Sequence, residues 1–137
     1  MSLTLSNPLK IIIVDDEIDI ANILKKFFIK MGFDAIAFTD PLLALEHFIA
    51  LDKYGLAIVD LRMPGMSGLD FANKIRQIST TVKIFLITAF DITDLENNTS
   101  FRTAQIERII QKPIKFSNLK KIIEKSLLID NNKINIQ

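Results

Sequence analysis

The sequence predicts an α/β fold: one doubly wound, five-stranded parallel sheet with helices on both faces. Two observations predict it. Short runs rich in β-branched residues alternate five times with segments whose apolar residues recur every three or four positions. The short runs are apolar throughout rather than alternating with polar residues, so both faces of the sheet must be covered.

The first run, KIIIV at positions 10–14, stops at Asp15 and Asp16. Ile20, Ile23, Leu24, Phe27, Phe28 and Met31 follow at helical spacing, with Gly32 as the capping glycine. A shorter strand is expected at 35–38. Pro41 opens a second helix, since a proline in the first turn costs nothing there, and Leu42, Leu45, Phe48 and Ile49 are expected on its apolar side. The third strand, 56–59, ends at Asp60. Pro64, Gly65 and Gly68 make a turn, and Leu69, Phe71, Ala72, Ile75 and Ile78 define a third helix. The fourth strand, 82–87, ends at Thr88. Residues 91–103 are polar and weakly periodic, and a fourth helix is expected within them. The fifth strand, 106–110, ends at Lys112-Pro113. A last helix, 119–128, is expected to be capped near Ser117. The organisation is thus one domain over 10–129, between residues 1–9, set aside as unstructured or vector-derived, and a frayed polar tail at 130–137.

Composition narrows the function. Hydrophobic residues make up 49% of the 137 positions and charged residues 24%, the balance of a soluble single domain. Lys and Arg total 17 against 16 for Asp and Glu, so no net field draws the chain to nucleic acid or anionic membrane. The absence of cysteine excludes disulfides, thiolate catalysis and cysteine-rich zinc sites, and suits a reducing cytoplasm. No apolar stretch approaches the ~20 residues that span a bilayer, and the N-terminus does not read as a signal peptide. No glycine-rich phosphate loop follows the first strand, which argues against nucleotide binding.

The functional signal lies where the strands end. In an open parallel sheet ligands bind beyond the carboxyl ends of the strands. Asp15, Asp16, Asp60, Thr88 and Lys112 all stand there, and they converge if the first, third, fourth and fifth strands are neighbours. Three carboxylates at close range repel one another, and a hard divalent cation with oxygen ligands, magnesium, resolves the conflict. Lys112 offers a positive charge to phosphoryl oxygens and Thr88 a hydroxyl. The set fits an aspartate nucleophile attacking phosphorus. His47, the one histidine, lies in the second helix away from this edge and reads as a surface or half-buried residue. Lys120, Lys121 and Lys125 read as the solvated face of the last helix.

Val14-Asp15-Asp16-Glu17, the run from Asp60 to Gly68 (DLRMPGMSG), Thr88-Ala89 and Lys112-Pro113 stand in the order of response-regulator receiver domains. The chain resembles that family from Lys10 to Leu128. The resemblance implies a flavodoxin-like sheet of strand order 2-1-3-4-5 and a phospho-accepting switch in a two-component phosphorelay. It implies phosphorylation of Asp60 by a sensor histidine kinase, a phosphotransfer protein or a small phosphodonor. Mg2+ would be held by Asp15, Asp16, Asp60 and the Arg62 carbonyl. Lys112 would pair with the phosphoryl group, Thr88 would move toward it, and Lys112–Pro113 would be a cis peptide. It further implies a cytoplasmic protein whose partner or homodimer contacts use the fourth helix, fifth strand and last helix, without nucleic-acid or membrane binding, and with no enzymatic activity beyond its own phosphorylation and dephosphorylation.

Two features depart from the family. Ile109 stands three residues before Lys112, where many receivers carry Tyr or Phe, and residues 101–105 replace a common Gly-Ala turn. Phe90, two residues after Thr88, is expected to shield the acyl phosphate from water. The competing readings are a magnesium-dependent aspartyl-phosphate phosphatase and a partner-binding pseudo-receiver. The first strand lacks the Asp-x-Asp spacing of the former, and intact Asp60, Thr88 and Lys112 argue against the latter.

Overall fold

A computed structural model describes residues 9–51, 53–89, 95 and 98–128. The five apolar runs form strands β1 (Lys10–Val14), β2 (Asp34–Phe38), β3 (Leu56–Asp60), β4 (Lys83–Thr88) and β5 (Arg108–Gln111). All pair in parallel, in the order β2-β1-β3-β4-β5. Between them run α1 (Ile18–Lys30), α2 (Pro41–Ala50), α3 (Gly68–Ile78), α4 (Thr99–Ala104) and α5 (Phe116–Ile123), the last continuing as a π-helical turn, Glu124–Leu128.

Strand side chains alternate between the two faces, and each face has its own core. Ile12, Val14, Val59, Ile84 and Leu86 pack with Phe48 of α2, Phe71 and Ile75 of α3 and Ala104 of α4. Ile11, Ile13, Ile58, Phe85 and Ile87 pack with Leu24 and Phe28 of α1 and Leu119 and Ile123 of α5. Burial on both faces is why the strands read as continuous apolar runs.

Local chemistry fixes the helix ends. After α1, Gly32 takes φ +100°, its N–H donates to the Ile29 carbonyl, and the Phe33 N–H donates to the Phe28 carbonyl. That bond pair is a Schellman motif, which favours glycine at the left-handed position. Asp40 caps α2 by accepting from the Leu42 N–H at 2.9 Å, and Ser67 caps α3 by accepting from Asp70.

Several expectations need correction. In α2 the buried residues are Pro41, Ala44 and Phe48, while Leu42 and Ile49 are 57% and 58% exposed. This helix is apolar on nearly every side, so periodicity did not single out the face the sheet covers. Ile23 and Ile78 are likewise exposed. β5 begins at Arg108 rather than Ile106, which packs against the core from the preceding loop. α5 starts before Ser117, at Phe116, whose ring lies 5.0 Å from that of Phe27; its N-terminal position is Lys115, with no side-chain cap. The fourth helix is seen over Thr99–Ala104, at the end of the expected span and one residue past it; residues 90–94, 96 and 97 lie outside the described residues, as do 1–8, 52 and 129–137.

Candidate functional site

The sheet register builds the site. Val14 pairs with Val59, Asp60 with Ile87, and Thr88 with Gln111. Asp15, Asp60, Thr88 and Lys112 therefore stand within about one residue of the same rim, each where its strand runs out.

Asp15 is completely buried. Its Oδ1 accepts from the Glu17 N–H at 2.9 Å. Its Oδ2 is buried without a hydrogen-bond partner: Lys112 Nζ lies 3.3 Å away and forms an ion pair with it, but not at a hydrogen-bonding angle. Asp60 is 5% exposed and its Oδ1 is 3.6 Å from Lys112 Nζ. Asp16 is exposed at the mouth. Asp15, Asp16 and Asp60 each present one carboxylate oxygen such that all three lie within 4.8 Å of one another. A pocket of about 180 Å³ opens over them, lined also by Glu17, Arg62, Thr88, Ala89 and Lys112.

The turn after Asp60 is held closely. The Leu61 N–H donates to the Ile87 carbonyl at 2.7 Å, and the Gly68 N–H donates to the Leu61 carbonyl at 2.8 Å. A β-carbon on Gly68 would strike the Asp60 carbonyl oxygen and lie 2.9 Å from the Leu61 Cα. Glycine is thus required where α3 begins, because the backbone carrying Asp60 passes against it.

Electrostatics follow from this crowding. Burial, and next the Asp15 carboxylate, push Asp60 up to about 7, against the lowering pull of Lys112. Burial also raises Asp15, partly offset by the Glu17 N–H and Lys112. For Lys112, burial favours the neutral amine, but Glu17, Asp15 and Asp60 outweigh it and hold the ammonium above its ordinary range. Three acidic side chains therefore share one lysine, and a buried carboxylate oxygen is left unsatisfied. A hard divalent cation with oxygen ligands fits the clustered carboxylates of Asp15, Asp16 and Asp60 and supplies the missing charge.

Every site residue expected from the sequence for which the structure describes a position arrives at this rim: Asp15, Asp16, Asp60, Arg62, Thr88 and Lys112. The Lys112–Pro113 peptide is cis, as expected. Phe90 lies outside the described residues. His47 is half-buried beside β2, hydrogen-bonds Tyr54 Oη at 2.6 Å, and is not among the residues lining the acidic pocket. Glu17 has no role evident from the sequence alone, yet its Oε1 is the nearest carboxylate oxygen to Lys112 Nζ, at 2.9 Å. Its signal was its place directly after the acidic pair.

The model of the response regulator receiver domain family matches residues 11–124. The chain belongs to this family. Receiver domains are regulatory phospho-acceptors of two-component systems, charged by histidine kinases or phosphotransfer proteins, and they bind Mg2+ through acidic residues. The chain is accordingly a phospho-accepting signalling domain, and the phosphatase alternative is not favoured. It is 31% identical over 81 residues to the transcriptional regulatory protein TctD of Salmonella typhimurium, covering 59% of this chain and 36% of that protein. The receiver thus corresponds to about a third of that regulator's length. Sporulation initiation phosphotransferase F of Bacillus subtilis is 24% identical over 90% of this chain and 97% of its own. Among solved structures, the response regulator TrrA of Thermotoga maritima, in complex with Mg2+-BeF, superposes with a TM-score of 0.74 at 31% identity, over 85% of this chain and 97% of that one. The chemotaxis protein CheY4 of Vibrio cholerae shares the fold, with a TM-score of 0.80 at 21% identity over 88% of this chain and 99% of its own. No helix among the described residues is long and apolar enough to cross a membrane.

Proposed function

We propose that this receiver domain, taken as residues 10–129, is phosphorylated on Asp60. The carrying observation is that Lys112 Nζ lies 3.6 Å from Asp60 Oδ1 and 3.3 Å from Asp15 Oδ2 in a rim of three clustered carboxylates. In this reading an Asp60 carboxylate oxygen forms a bond to phosphorus as the bond to the donor breaks. The donor is the phosphohistidine of a sensor kinase or phosphotransfer protein, or a small acyl phosphate. Lys112 neutralises charge on the phosphoryl oxygens, and the Thr88 hydroxyl donates to one of them. Asp15, Asp16, Asp60 and the Arg62 carbonyl would hold Mg2+, which supplies charge to offset repulsion between the carboxylates and the incoming phosphate.

The wider reading is a cytoplasmic switch without separate enzymatic turnover. Its charged state is read by a partner or a second copy through α4, β5 and α5. With Ile109 half-buried on β5 and no aromatic at that position, the readout uses another group. The near-neutral composition supports contacts with protein rather than with nucleic acid or membrane.

The test is labelling with acetyl phosphate in the presence of Mg2+. Wild type takes up phosphate, and Asp60→Asn, which keeps shape but loses the nucleophile, takes up none. Labelling that persists in Asp60→Asn rejects the assignment.

A further inference from the structure

Building on that reading of Asp60, we propose that Glu17 is a positioning residue that parks the Lys112 ammonium away from the acceptor and so slows its charging. Three carboxylates compete for this one ammonium. Glu17 holds it by a hydrogen bond at 2.9 Å, Asp15 stands at 3.3 Å and Asp60 at 3.6 Å. The competitors differ in burial. The Glu17 side chain is 62% exposed, whereas those of Asp15 and Asp60 are 0% and 8% exposed. The shortest contact therefore draws the ammonium toward the mouth of the pocket. The Glu17 backbone is tied down, because its N–H donates to Asp15 Oδ1 and it precedes the first turn of α1. The side chain can reach Lys112 from that fixed point or swing into solvent.

A phosphoryl group on Asp60 needs the same ammonium, so charging must break the Glu17–Lys112 pair. Glu17 also places a negative charge beside the path of an anionic donor. Both effects act in one direction. An exposed pair is weak, so its removal is worth roughly two- to fivefold. The device is a brake of modest size rather than a block.

The experiment compares wild type with Glu17→Gln, which keeps size and removes charge. Initial labelling by acetyl phosphate at saturating Mg2+ is expected to rise about two- to fivefold, and fluoroberyllate affinity to rise by the same factor. Mg2+ affinity measured alone should hold or fall only slightly. The second readout is the lysine ε-methylene NMR signal of Lys112, assigned with Lys112→Arg. On fluoroberyllate addition it should move further in wild type, where the ammonium leaves Glu17, than in Glu17→Gln. Equal labelling rates, or equal Lys112 movements, overturn the proposal. A severalfold loss of Mg2+ affinity also overturns it, by making Glu17 part of the cation site. Failure here is distinguishable from failure of the Asp60 reading: in the latter case wild type takes up no label, or Asp60→Asn labels as wild type does.

Discussion

Asp60 ends a strand that is buried at every position, and its carboxylate is held beside that of Asp15. The raised value near 7 makes its protonation a stability matter. A carboxyl whose folded value exceeds its unfolded value of 3.8 favours folding fully only below that unfolded value. The contribution is lost as pH rises toward about 7 and stays lost above it. Without divalent cation, the melting temperature of wild type should therefore fall relative to Asp60→Asn between about pH 4 and 7, then run parallel to it. Cation and proton compete for the same oxygens, so Mg2+ should stabilise little near pH 4 and increasingly up to about pH 7. Melting curves of the two proteins across pH, with and without Mg2+, check both statements. A constant gap between them would mean that Asp60 titrates normally in the fold. The residues of this site were legible because each carries its chemistry in its identity and its strand end. Glu17 was harder to assign, because an exposed glutamate at a helix start is ordinary until a lysine 95 positions away is found beside it.

Among the elements, α4 depends most on its neighbours. Six residues are too few to hold a helix in water, and only Ala104 of the six is buried. The structure anchors it to α3 through polar side chains. Arg76 donates to the carbonyls of Ala104 at 2.9 Å and Gln105 at 3.2 Å, where α4 ends, and to Val82 and Ser79 below. Asn73 donates to the Ser100 carbonyl at 2.8 Å and accepts from Thr103 Oγ1 at 2.5 Å. Arg76→Ala leaves these half-buried carbonyls without their charged donor and should cost about 2 kcal/mol. Hydrogen exchange should show the loss first as faster exchange in α4 and the start of β5, with β1 and β3 little changed at first. Uniform acceleration across the sheet would contradict this local role. The clamp also explains why α4 was poorly legible: its position rests on contacts between residues about thirty apart, which leave no periodic trace. The strands were legible because burial on two faces demands apolar residues at every position. The edge strands β2 and β5 are the exceptions: Asp34 at the start of β2 and both ends of β5, Arg108 and Gln111, are exposed, so hydropathy marked their middles and missed these limits.

Across the whole molecule, one sheet separates two cores, with α2, α3 and α4 over one face and α1 and α5 over the other. The acidic rim belongs to neither. It lies where the strands stop, so the site can carry charge repulsion that the interior could not hold. The division makes a prediction about energetics. Ile75 of α3 and Ile123 of α5 are both fully buried, in different cores, with β-strand backbone between them. Ile75→Val and Ile123→Val should each cost about 1 kcal/mol. The double variant should cost their sum to within about 0.5 kcal/mol, since the two residues share no packing partner. Urea unfolding of the four proteins measures this directly. A larger coupling would mean that the layers repack together through the sheet, and a charge change at the rim could then reach all five helices. Additive losses would instead confine its effects to the elements joined to the rim by backbone, of which α1 and α5, through the β1–α1 and β5–α5 turns, have the shortest connections.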